Sequence, residues 1–111
     1  MLRVQVRTGS EKGAGTDSAV EVRLHGDGGK ASEWTRLERS LTNSNPFERA
    51  QTDEFKLLLQ PVQVLSALEI KSDASGLGSD WLLDDITVSS GSVEVYFPCF
   101  QWLQRTVCAC R

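Results

Sequence analysis

Apolar and polar residues alternate along most of this chain with a period of two, the pattern of strands that bury one face and wet the other. Leu2, Val4 and Val6 alternate with Arg3, Gln5 and Arg7, and Val20, Val22 and Leu24 alternate with Glu21 and Arg23. These runs predict the first two strands. Between them Thr8 to Ser18 breaks the period with Gly9, Gly13 and Gly15, which predicts a structured loop. The second strand ends in the turn-rich cluster His25-Gly26-Asp27-Gly28-Gly29.

From Ala31 to Leu41 the pattern is ambiguous: Trp34, Leu37 and Leu41 fit helical spacing, whereas Trp34 and Arg36 fit a short strand. Thr42 to Pro46 reads as a loop in which Pro46 holds Asn45 extended, and Phe47 is expected to plug the edge of the core. Phe55, Leu57 and Leu59 predict a fourth strand stopped by Pro61; Leu65, Leu68 and Ile70 predict a fifth, followed by a turn at Asp73-Ala74-Ser75-Gly76. The stretch from Gly76 to Trp102 is the most informative. Trp81 and Leu83, then Ile86 and Val88 after a one-residue slip, alternate up to Ser89-Ser90-Gly91-Ser92, and Val93, Val95 and Phe97 alternate beyond it. This predicts a hairpin whose aromatics, Trp81 and Trp102 among them, anchor the core; the segment from Trp102 to Val107 has room for a short eighth strand. Seven or eight short strands separated by turns predict an all-β protein, an antiparallel two-sheet β-sandwich.

With 111 residues the chain is expected to form a single domain over residues 1–111, burying roughly two-thirds of its unfolded surface. Twelve basic and fifteen acidic residues are interspersed, giving a net charge of −3, so no field favours nucleic acid. The longest apolar runs, such as Leu57 to Leu59, fall far short of the roughly eighteen residues that span a bilayer. Cys99, Cys108 and Cys110 are odd in number and lack metal spacing, which fits a reducing compartment. Cys108 and Cys110 share one face of an extended segment, a poor zinc site without two further ligands.

Catalytic chemistry finds no constellation. His25 is the one histidine, expected as a solvated residue at a strand end, so neither a Ser-His-Asp nor a Cys-His set can form. Gly13-Ala14-Gly15-Thr16-Asp17 lacks the lysine of a phosphate-binding loop. Asp84 and Asp85 are neighbours on a strand and are expected to point to opposite faces, which separates them as an acid-base pair.

Several blocks together resemble the PLAT domain, also called the lipoxygenase homology (LH2) domain: Thr8-Gly9, Gly13-Ala14-Gly15-Thr16-Asp17, Phe47-Glu48-Arg49, Asp53-Glu54-Phe55, Trp81-Leu82-Leu83-Asp84 and Tyr96-Phe97-Pro98-Cys99-Phe100-Gln101-Trp102. The resemblance covers nearly the whole chain. It implies a sandwich, favours a strand in the ambiguous segment around Trp34, and implies an accessory module without the iron-bearing catalytic domain, so no iron is expected here. It also implies a calcium site. Gly15, Thr16 and Asp17 match the family's first ligand loop, Asn45 and Glu48 match the second, and Asp80 lies beside the third. Pro46 and Ser79 stand where the family carries acidic residues, so binding is expected to be weak, roughly micromolar to millimolar. Asp17 and Asn45 read equally well as loop-capping residues.

For contact with a membrane or a protein, Leu77 is the one obvious loop-tip wedge, and Trp34 reads either as an exposed anchor or as a core residue. The resemblance therefore implies a non-catalytic targeting module for a membrane surface or a membrane-associated or cytoskeletal protein, open to calcium modulation. Its alternatives are a lipid-independent interaction repeat in a scaffold, or the regulatory module of a lipoxygenase-type enzyme. The expected setting is a monomeric, cytoplasmic domain peripheral to a membrane and cut from a longer protein.

Overall fold

The computed structural model describes residues 2–16, 18–26, 31–57, 65–72 and 80–103, and the backbone of residues 107–110. Eight strands follow in chain order: β1 (Leu2–Thr8), β2 (Val20–Gly26), β3 (Thr35–Arg36), β4 (Thr52–Leu57), β5 (Leu65–Ser72), β6 (Trp81–Ser90), β7 (Val93–Leu103) and β8 (Val107–Cys110). They form two four-stranded sheets, β4-β1-β6-β7 and β3-β2-β5-β8, with every pairing antiparallel. This is the expected two-sheet sandwich.

The two-residue period decides what is inside. Val4, Val6, Val20, Val22, Leu24, Phe55, Leu68, Ile70, Trp81, Leu83, Ile86 and Phe97 turn inward from both sheets and form one core, while Arg3, Gln5 and Arg7 stay exposed on β1. Burying a side chain of this size contributes about 1.5 to 3 kcal/mol each, before the chain entropy that opposes it. Phe47 plugs the core edge as expected, with its ring stacked on Phe55 at 5.4 Å and edge-on to Trp81 at 5.2 Å between centroids. The buried Trp81 indole N–H donates to the Thr8 hydroxyl at 3.0 Å, so its one polar atom is satisfied.

The slip read between Leu83 and Ile86 is a real irregularity: the β6–β7 register shifts between Leu83 and Asp85. On the opposing strand Phe100 takes a left-handed backbone, φ 55°. The short strand chosen for the ambiguous segment exists as β3, with Trp34 just before it and Leu37 in the core.

Two expectations change. Trp102 is exposed, together with Tyr96 and Phe100, so only part of the hairpin's aromatics enter the core. The reason is pairing: Trp102 lies opposite Leu82 and Tyr96 opposite Thr87, both on the outer face of the sheet. Strand β7 runs through Trp102 to Leu103, and the eighth strand forms later, at Val107–Cys110, where it pairs with β5 in the other sheet. Leu41, which fits the helical spacing alone, is exposed, in keeping with the strand chosen for this segment. Leu59 and the turn at residues 73–76 lie outside the described residues.

Replacing Trp81 with alanine should cost about 3 to 5 kcal/mol, the usual range for a fully buried large aromatic, and should leave the Thr8 hydroxyl without its donor. Urea unfolding would measure it; a loss under about 1 kcal/mol would contradict a core role.

Candidate functional site

At one end of the sandwich the loop after β1 and the loop before β4 fold against each other. Ala50 N–H donates to the Gly9 carbonyl, Leu82 N–H to the Ala14 carbonyl and Thr16 N–H to the Phe47 carbonyl, each at 2.9 Å. Glycine is required at this seam. A Cβ at Gly15 would stand 3.0 Å from both the Arg49 nitrogen and the Phe47 oxygen, and one at Gly9 would stand 2.5 Å from Leu82 Cδ2.

The second loop is shaped by a buried carboxylate. Asp53 is fully buried and accepts from the Phe47 backbone N–H at 2.8 Å, the Ser40 hydroxyl at 2.7 Å, the Asn43 amide at 3.1 Å and the Gln51 amide at 3.1 Å. A buried carboxylate with one donor missing would be costly, so these four bonds fix the loop together. They hold Phe47 and Ala50 in left-handed conformations, φ 65° and 58°, that non-glycine residues adopt only under constraint.

Of the residues matched to the calcium pattern, the structure brings Gly15 and Thr16 against Phe47 and Glu48. Asn45 donates its amide to the Glu48 carboxylate, while the Asn45 backbone carbonyl accepts from Gln51 at 2.7 Å. Thr16 is buried, its hydroxyl accepting from Ser18 N–H at 3.1 Å, a capping role. Asp80 is exposed at the head of β6; Asp17, Leu77 and Ser79 lie outside the described residues. Calcium takes six to eight oxygens, and among the described residues no group of three or more histidine, cysteine or acidic side chains gathers. Among the described residues of the predicted set, Glu48 and Asp80 offer carboxylates, Asn45 an amide and Gly15 and Thr16 loop oxygens, but no three acidic side chains gather.

The outer face of the β3-β2-β5-β8 sheet carries a second cluster. Trp34 is half-buried there, with the Arg23 guanidinium 4.9 Å and the Lys71 ammonium 4.1 Å from its ring centre. Arg23 donates twice to one oxygen of Glu69, at 3.0 and 2.7 Å, and Lys71 lies 3.8 Å from Glu21. His25 is not simply solvated: it is half-buried and bonds to the same Glu69 oxygen. Arg23 first, and His25 after it, hold the Glu69 carboxyl below the usual glutamate range.

The outer face of the other sheet carries a third. Asp85 accepts from Arg7 and, at 2.8 Å, from the Tyr96 hydroxyl, and Asp84 lies 3.9 Å from Arg7. The two aspartates were expected on opposite faces; the register shift at this point turns both carboxylates toward one arginine. The hydrogen bond to Asp85 raises the pKa of both the Arg7 guanidinium and the Tyr96 phenol, which favours their protonated forms. Nothing in the spacing revealed this, because Arg7 and Asp85 are 78 positions apart.

Two antiparallel four-stranded sheets with glycine-tight loops at one end define a small β-sandwich domain. Residues 2–108 match the PLAT/LH2 domain, and the chain belongs to that family. Lipoxygenase homology domain-containing protein 1 is 36% identical in Mus musculus over 107 residues and 37% identical in Homo sapiens over 106. The matched segments cover 93% and 92% of this chain but 5% of either relative. Allene oxide synthase-lipoxygenase protein of Plexaura homomalla is 31% identical over 93% of this chain and 10% of its own length. Among solved structures, a coral 8R-lipoxygenase described as activated by calcium through a C2-like domain superposes with a TM-score of 0.84 at 25% identity, over 98% of this chain and 16% of that one.

Because the Glu69 carboxyl ionises more readily in the folded state, its contribution to stability is complete above the ordinary glutamate range and is lost as the pH falls through the lowered folded value. The melting temperature of the parent chain should therefore fall in that acid window more steeply than that of Glu69→Gln. Parallel slopes would show that the pairing with Arg23 and His25 adds nothing.

Proposed function

We propose that this chain is a non-catalytic targeting module that rests on a membrane surface at the cytoplasmic side and is modulated by calcium. One observation carries the reading: Trp34 lies on an outer sheet face against Arg23 and Lys71. Indole favours the boundary between headgroups and acyl chains, and arginine and lysine beside it favour anionic headgroups. Both cations also face carboxylates, Glu69 and Glu21, so attraction to lipid charge is modest and the indole supplies most of the affinity. Two relatives support the calcium part: the coral enzyme above, and a solved 11R-lipoxygenase described as calcium-dependent, with a TM-score of 0.74 at 25% identity over 98% of this chain and 16% of that one.

Vesicles of mixed zwitterionic and anionic lipid should co-sediment the chain, more so with calcium, and Trp34→Ala should weaken binding roughly tenfold, equivalent to about 1.4 kcal/mol. A chain that stays in the supernatant with and without calcium would end the membrane reading.

Calcium should bind weakly, through the Gly15–Asp17 loop together with Asn45 and Glu48. Millimolar calcium should raise the melting temperature of the parent chain by mass action but leave Asp17→Asn unmoved. Pro46→Asp, which adds an anionic oxygen, should tighten binding. Calorimetric titration without heat, together with an unmoved melting temperature, would leave these loops as structural turns.

A further inference from the structure

The outer face of the β4-β1-β6-β7 sheet has no role in the reading above, yet it holds the largest exposed aromatics of the molecule. Tyr96 is 53% exposed, Phe100 56% and Trp102 46%. They stand along β7, an edge strand. Phe100 is held outward on a left-handed backbone, a conformation that costs free energy and persists only where the surroundings impose it. Pro98 lacks an N–H and the register shift bends the strand, so the edge is blunted against strand addition and a partner would meet the face.

The registers lay that face out in rows across the four strands. One row reads Lys56, Arg3, Ser89, Glu94; the next reads Glu54, Gln5, Thr87, Tyr96; the third reads Thr52, Arg7, Asp85, Pro98. Beyond them Leu82 pairs with Trp102. The β4-β1 half carries Lys56, Arg3 and Arg7 together with Glu54, which pairs with Arg3 at 2.7 Å, and the β6-β7 half carries the carboxylates Asp84, Asp85 and Glu94 with the aromatics; Arg7 already meets Asp85 within one copy, which leaves Lys56 and Glu94 as the pair to be matched between copies. Sinking the aromatics into a bilayer would drag those carboxylates along, so the face suits protein better than lipid.

A two-fold rotation about an axis parallel to the strands, between β1 and β6, lays β4 over β7 and β1 over β6 of a second copy while keeping each row in line. Lys56 then meets Glu94, Arg3 meets Ser89, Arg7 meets Asp85 and Glu54 meets the Tyr96 ring, each contact made twice. Within these rows no like charges face each other. Within one copy Lys56 and Glu94 are three strand spacings apart, roughly 14 Å, too far to pair, so their complementarity is realised only between copies. We infer that this face is a self-complementary docking surface and that its occupant is a second copy of this chain, joined face to face through an isologous interface.

Sedimentation velocity of the 111-residue chain at low salt, from low to high micromolar concentration, tests this. A monomer–dimer equilibrium is expected. Lys56→Glu and Glu94→Lys should each weaken it roughly tenfold or more by opposing like charges, and the double variant should recover dimerisation. Phe100→Ser with Trp102→Ser should weaken it without changing the melting temperature of the monomer. A chain that is monomeric throughout, a dimer indifferent to the charge reversals, or a double variant as weak as the single ones would overturn the proposal. Vesicle co-sedimentation of the same variants separates the two readings: dimerisation can fail while lipid binding through Trp34 stands, and a loss of lipid binding on replacing Phe100 and Trp102 would reassign the face to membrane.

Discussion

The burial of Trp81 is the constraint on which the rest depends. Its ring lies at the start of β6, its N–H is satisfied by Thr8 at the end of β1, and Phe47 from the loop before β4 packs edge-on against it. Three segments far apart in sequence thus converge on one side chain. An indole can be buried this deeply only if its N–H finds an acceptor, so the end of β1, the head of β6 and the loop carrying Phe47 have little freedom to shift independently. The hydrogen bonds from Leu82 to Ala14 and from Gly9 to Leu82 continue the same seam into the loop after β1.

The second determinant is the irregularity between Leu83 and Asp85. A strict period of two beginning at Trp81 would turn Asp85 inward and Ile86 outward, exchanging an apolar side chain for a charge in the core. One extra residue restores Ile86 and Val88 to the interior. It also turns Asp84 and Asp85 together toward Arg7, and across the hairpin it accompanies the left-handed backbone that holds Phe100 out. The charge cluster and the exposed aromatics follow from one adjustment that keeps the core apolar.

Alternation alone made most of this legible. Where one parity is apolar and the other polar, as in Leu2 to Arg7 or Val20 to Leu24, the buried face can be read directly. In β7 both parities are apolar or aromatic, with Val95, Phe97 and Cys99 on one and Tyr96, Pro98 and Phe100 on the other, so a period of two cannot say which enters the core; the pairing with Leu82 and Thr87 decides. The same limit hid the partner of His25. Glu69 lies 44 positions away and comes beside it only when β2 pairs with β5. The candidate calcium loops were legible as blocks, because glycines at close approach leave a mark in sequence that a carboxylate network does not.

That network bears on what a metal could add. The loop from Ser40 to Gln51 is held by Asp53, a protein carboxylate that already accepts from Ser40, Asn43, Phe47 and Gln51. Its shape is therefore set without a cation, and Pro46, in the middle of it, supplies neither an N–H nor a side-chain oxygen. Calcium at this end would meet a preformed turn. Preformed ligands lower the ordering cost of binding, but a turn fixed by its own hydrogen bonds has little left to reorganise when the ion arrives. Under the proposed calcium modulation the ion would then act through charge, by offsetting the Glu48 carboxylate that Asn45 already meets, rather than by folding the loop.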